Sequence, residues 1–158
     1  MPIQIVAVEP GNKKQTRDFL ELPFRIYQNI PQWVPPLQMD ARAMLDVRRN
    51  PFYAHSQAAF FLAVASPEAP PVGRLAVLNN AHYNAYNHER TAFFYLFECE
   101  HAPQAARALF EAGFAWARQQ GLDLCRQVWE FLFQLLICNR CCLAQYVRSI
   151  LVRGLYRF

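Results

Sequence analysis

Glycine is scarce in this chain, lysine almost absent and charge of either sign thin. Five glycines and two lysines (Lys13 and Lys14) occur in 158 residues, and charged residues make up 18% against 54% apolar. Apolar content this high excludes intrinsic disorder over most of the length, and one domain with a substantial core is the simplest organisation. No run is long enough to span a bilayer. The best candidate, Val128 to Cys138, has eleven residues and contains Glu130 and Gln134, so a membrane partner is not expected. The opening Met1–Pro10 lacks a basic, apolar leader pattern, and the five cysteines therefore read as reduced thiols of a cytoplasmic protein. Internal repeats and low-complexity segments are absent.

Other absences are one-sided. All eleven prolines precede Gln104, and no Lys, Asp, His, Thr or Met follows Asp123. Residues 1–124 carry two Lys and nine Arg against eleven acids, whereas residues 125–158 carry five Arg against Glu130 alone. The whole net charge of +4 therefore sits in the tail. Its arginines share no face at helical or strand spacing, which argues against a nucleic-acid or membrane-surface partner. Four of the five cysteines also fall there, Cys125, Cys138, Cys141 and Cys142. These counts divide the chain into an α/β domain over 1–124 and an atypical Arg- and Cys-rich segment over 125–158.

Within the first part, Ile3 to Val8 alternates as a strand closed by Pro10-Gly11. Thr16 is the expected N-cap of a helix, with Asp18 in its first turn and Pro23 as a kink or break between two short helices. Asp40 to Val47 supplies one or two helical turns. Ala58–Ala65 and Val72–Asn79 read as an antiparallel hairpin around a proline-rich turn, and Thr91–Phe97 as a third aromatic strand. Pro103–Gln120 is the clearest helix. Ala106, Leu109, Phe110, Gly113, Phe114 and Ala117 repeat at i, i+3, i+4, with Pro103 in the first turn and Gly121 at the C-cap. Gly121–Leu124 begins another strand.

Local sequence adds a resemblance to this order of elements. Phe19-Leu20-Glu21-Leu22-Pro23-Phe24-Arg25-Ile26-Tyr27 and Pro31-Gln32-Trp33-Val34-Pro35-Pro36-Leu37 resemble the opening of a group of uncharacterised bacterial GNAT-like (GCN5-related N-acetyltransferase) proteins. So do Asn50-Pro51-Phe52-Tyr53-Ala54-His55, Pro71-Val72-Gly73-Arg74-Leu75-Ala76 and Phe93-Phe94-Tyr95-Leu96-Phe97-Glu98-Cys99. The similarity covers about residues 3–124. It implies an α+β, partial GNAT fold, a mostly antiparallel sheet flanked by helices, with an atypical C-terminal segment. The group's Gly-Pro, Asn and Ser-rich continuation is missing after Cys125. A reading-frame shift near that residue is the expectation, and a divergent C-terminus is the alternative.

The resemblance further implies transfer of an acyl group from acetyl-CoA or another acyl-CoA to a small-molecule or peptide amine, here in a truncated domain. It makes Thr91–Glu98 the fourth strand, whose backbone N–H groups hold the pantetheine and polarise the thioester. Cys99–Pro103 becomes the loop that, with the next helix, cradles the pyrophosphate. Phe97, Glu98, Cys99, His101 and Gln104 are then the cofactor-binding positions, and Glu98 and Glu100 the candidate bases. If side chains alternate, both acids share the face of Leu96; the plainer reading is a solvated strand end and helix-start acids. The loop departs from the usual Arg/Gln-x-x-Gly-x-Gly/Ala pattern. It has no glycine, two acids that oppose a phosphate, and Pro103 in place of one donor. Cys99 reads as a buried structural thiol. No metal is expected: His82, Asn84, His88 and Glu89 lack ligand spacing and read as a loop, and Cys138-x-x-Cys141-Cys142 is half of a zinc ribbon. The alternative function is a non-enzymatic α/β module that self-associates, as a homodimer, or binds another protein through an open sheet edge.

Overall fold

A computed structural model of the chain describes residues 3–9, 11–35, 38–100, 102–127 and 156–157. The elements run β1 (Gln4–Ala7), α1 (Lys13–Ile26), α2 (Gln38–Leu45), a 3-10 turn (Pro51–Ala54), β2 (Gln57–Val64), β3 (Pro71–Asn79), α3 (Ala81–Asn87), β4 (Thr91–Cys99), α4 (Pro103–Gln119), β5 (Leu124–Gln127) and β6 (Tyr156–Arg157). One sheet takes the strands in sequence order. β1 to β4 pair antiparallel, β5 lies parallel to β4, and β6 pairs antiparallel with β5. Helix α4 makes the crossover that a parallel pair requires. The compositional boundary near Cys125 thus falls inside β5. Residues 128–155, which hold the tail cysteines past Cys125, lie outside the described residues.

Both faces of the sheet are covered, which is why β2 and β3 read as continuous apolar runs rather than alternating ones. Phe61, Ala63, Leu75, Val77 and Phe94 pack under α4 through Ala106, Leu109, Phe110 and Ala117. Val8, Phe60, Leu62 and Ala76 face the other way, against Phe19 of α1 and Leu45 of α2. Phe19 is fully buried, a burial worth about 1.5–3 kcal/mol by transfer arithmetic. Helix α4 approaches β3 closely at Gly113, where a Cβ would meet Val77 Cγ2 at 2.9 Å and Leu75 Cδ2 at 3.0 Å. Its end is a Schellman turn. Gly121 takes φ +73°, and Leu122 N–H donates to Ala117 O and Gly121 N–H to Arg118 O, both at 3.0 Å.

Three local expectations are corrected. The N-cap of α1 is Asn12 rather than Thr16; its side chain accepts from Gln15 N–H, and the turn at Gly11 lets the helix start earlier. Pro23 does not break the helix: α1 is continuous through Ile26. A proline at this position leaves the carbonyl four residues back without its N–H partner. Arg74 Nη1 supplies the missing donor to Phe19 O at 2.7 Å. The segment of His82 and Asn84 is a short helix, α3, rather than a loop. Asn80 caps it through Tyr83 N–H, and His88 closes it in the left-handed region at φ 54°.

Candidate functional site

The irregularity in the sheet lies in β4. The β3–β4 register pairs Arg74 with Glu98 but Ala76 with Tyr95, so β4 holds one extra residue there. Leu96 sits at φ 49°, a conformation that costs a non-glycine residue roughly 1–2 kcal/mol. The bulge breaks alternation: Tyr95 and Leu96 both pack on the α1 side, while Phe97 returns to the α4 side. Pairing with β5 covers only Thr91 to Phe94. The strand expected to begin at Gly121–Leu124 is thus the partner of β4 on that side. The last of these pairs, Phe94 with Gln127, uses the last described residue of β5.

Around the bulge the sequence-predicted residues take distinct places. Phe97 stacks obliquely on Phe110 with centroids 4.8 Å apart. Cys99 is buried and points its Sγ at Ala102 O, 3.7 Å away. Gln104 is exposed in the first turn of α4. His101 lies outside the described residues. Glu98 is 3% exposed, and a solvated strand end is therefore the wrong description of it. Its carboxylate takes Arg74 Nε at 2.5 Å. Arg74, equally buried, lies 4.9 Å over the Phe19 ring. Glu100 does face the same side: Arg25 of α1 reaches it at 2.9 Å and also donates to Pro71 O. The Glu100 side chain stays 42% exposed. Each acid of this loop is therefore neutralised by an arginine, and the sequence-level objection to a phosphate here loses most of its force. Ala102 gives α4 no side-chain cap.

Between α1, α2 and the bulge opens a cleft of about 1160 Å³. Its apolar lining is Leu20, Phe24, Met44, Leu45, Val47 and Leu96, and Arg74 forms part of its floor. Lys13, Arg17, Arg42 and Arg48 stand around it, with Glu21 and Asp46 as the acids. On the same side of β4, burial, reinforced by the neighbouring Tyr53, pushes the pKa of Tyr95 well up. Tyr53 in turn donates to Met44 O at 2.5 Å, and burial raises its pKa as well. Sequence reasoning missed this cleft, the two arginines and the bulge.

The residues weighed as a metal cluster serve separate ends. His82 stacks on His55 with centroids 3.7 Å apart. Asn84 bonds both Thr91 N–H and Thr91 O, and Glu89 pairs with Arg126 at 3.1 Å. Among the described residues no group of three or more His, Cys, Asp or Glu could hold a metal ion, and no helix is long and apolar enough to cross a membrane.

A bulged fourth strand, a parallel fifth strand reached through a long helix, and an antiparallel lead-in define the fold as that of the GNAT acyl-CoA N-acyltransferases. A GNAT-family acetyltransferase of Staphylococcus aureus superposes with a TM-score of 0.58 over 93% of this chain and 80% of its own, at 14% identity. An aminoglycoside acetyltransferase from an uncultured soil metagenomic sample gives 0.60 over 94% and 86%, also at 14% identity. By sequence, the chain is similar to protein YghO of Escherichia coli K12, 31% identical over 111 residues. It is also similar to a bacterial ceramide synthase of Caulobacter vibrioides, 28% identical over 108 residues. These matches cover 70% and 68% of this chain but only 27% and 28% of the relatives, so the chain spans about a quarter of their length. No family profile matches it.

Proposed function

We propose that this chain carries part of an N-acyltransferase site that moves an acyl group from acyl-CoA to an amine. The observation that carries the reading is the bulge at Leu96 in β4, set where the cleft reaches the sheet. A bulge disrupts the regular ladder there and leaves an extra residue whose backbone can offer N–H donors to a pantetheine amide and a thioester oxygen. The relative named as a ceramide synthase agrees in bond type, since a ceramide is an N-acyl amine.

The backbone of Phe97, Glu98 and Cys99 holds the donor, and Gln104 with the uncapped start of α4 faces its phosphates. When bound, acyl-CoA supplies a thioester: the amine nitrogen forms the new C–N bond and the C–S bond breaks, releasing the thiol. Glu98 serves by position, its charge locked to Arg74 beneath the bulge. Glu100, partly exposed beside Arg25, accepts the amine proton, directly or through water. The test is thiol release from acetyl-CoA in the presence of an amine. Glu100→Gln should lower turnover by about 10²-fold or more while leaving the melting temperature almost unchanged, since exposed pairs contribute only about 0–1 kcal/mol. Undiminished turnover in that variant would remove Glu100 from the mechanism.

A further inference from the structure

We infer that the cleft between α1 and α2 binds a single-chain amphiphile with an anionic head, its alkyl chain on the apolar lining and its carboxylate or phosphate at the basic rim.

Exposed apolar surface supplies one half of the ligand preference. Met44 and Val47 are 37% and 39% exposed and are two of only four large hydrophobics left so open among the described residues; both line this cleft. With Leu20, Phe24 and Leu96 they continue one apolar wall from the α2 end down to the bulge. At about 1160 Å³ the space is somewhat larger than most small-molecule pockets, about 300–1,000 Å³. An alkyl chain is the ligand part that gains from such a wall, at about 25 cal/mol per Å² buried.

Charge supplies the other half. Arg74 is already satisfied by Glu98, and Arg17 lies near Asp18 and Glu21 at 3.8 and 3.9 Å. Asp46 accepts the backbone N–H groups of Arg48 and Arg49 and has Arg49 at 3.9 Å. Lys13, Arg42 and Arg48 make no ion pair with a described residue, and all three are exposed at the cleft. Three cations without an ion-pair partner among the described residues, set around an apolar trough, favour an anionic head and oppose a polycation. Neighbouring cations also favour the uncharged, nucleophilic form of an amine carried on the same molecule. Treating the amphiphile as the acyl acceptor rests on the acyltransferase reading; its binding does not.

Calorimetric titration of the full chain, below micellar concentrations, tests this with dodecanoate, dodecyl phosphate and dodecyltrimethylammonium. An anionic amphiphile should bind about tenfold or more tightly than the cationic one, and Arg42→Gln with Arg48→Gln should weaken it about tenfold without shifting the melting temperature. Binding of the carboxylate alone identifies an amino-acid-like head and of the phosphate alone a phospholipid-like one; either supports the assignment. Equal affinity for the cationic amphiphile, no binding of either anion, or indifference to the double substitution would overturn it. Acetyl-CoA binding, measured on the same samples, separates the two readings: retained with no amphiphile binding, it leaves the acyltransferase reading standing and this one wrong.

Discussion

Arg74 joins three parts of the chain that are far apart in sequence. Its guanidinium donates to Phe19 O, 55 residues away, and to Glu98, 24 residues away. The first bond exists because Pro23 takes a donor out of α1, and the second fixes the strand just past the bulge. Removing one partner of a buried pair costs about 3–5 kcal/mol, because the other charge is left without compensation. Arg74→Met should destabilise by that amount in urea denaturation. Pro23→Ala restores an N–H opposite Phe19 O, and it should recover about 1 kcal/mol more in the Arg74→Met background than in the unmodified chain. An additive cycle would show that the carbonyl never depended on Arg74. None of this was legible locally. Proline announced a break, yet nothing near residue 23 says that an arginine on a later strand fills the gap. The pairing of Glu98 and Glu100 with Arg74 and Arg25 was hidden for the same reason, and their acidity was read as a solvated charge.

Elements with strong periodicity were easier to see. Helix α4 shows its apolar stripe, its proline start and its glycine stop directly, and β2 and β3 are bounded by turn residues. Helix α3 was hidden because its residues, Ala81–Asn87, are polar and too few to show a stripe; its existence depends on the Asn80 cap and on Asn84 bonding β4. The bulge in β4 was hidden by the unbroken apolar run Phe93 to Phe97, where any register satisfies the pattern. Strand β5 makes a separate prediction. Cys125 is 2% exposed there, and burial pushes its thiol up to about 12. A raised folded pKa means that the protonated thiol is the form the fold favours. That stability is complete below the unfolded value of about 8.5 and is lost as pH rises towards the folded one, by at most about 1.4 kcal/mol per pH unit. Native-state alkylation at about pH 8 should therefore leave Cys125 unmodified while the urea-unfolded chain reacts readily. Equal reactivity in the two states would mean that β5 is not docked as described.

At the scale of the whole molecule, antiparallel strands β1 to β4 carry α1 and α2 on one face and α4 on the other, and α4 delivers β5 parallel to β4. That arrangement was readable from element order and from the matched sequence blocks, because each block is local. The site was readable only in outline. The candidate position at the end of β4 comes from the resemblance, whereas the electrostatics there depend on contacts that folding alone brings together. We propose that the bulged end of β4 and the start of α4 hold an acyl-CoA. The most direct measurement is the melting temperature of the full chain with and without acetyl-CoA at roughly millimolar concentration, where a ligand at 100 times its Kd adds about 2.7 kcal/mol. The account predicts a rise of several degrees that grows with acetyl-CoA concentration. An unchanged melting temperature across that range would contradict it.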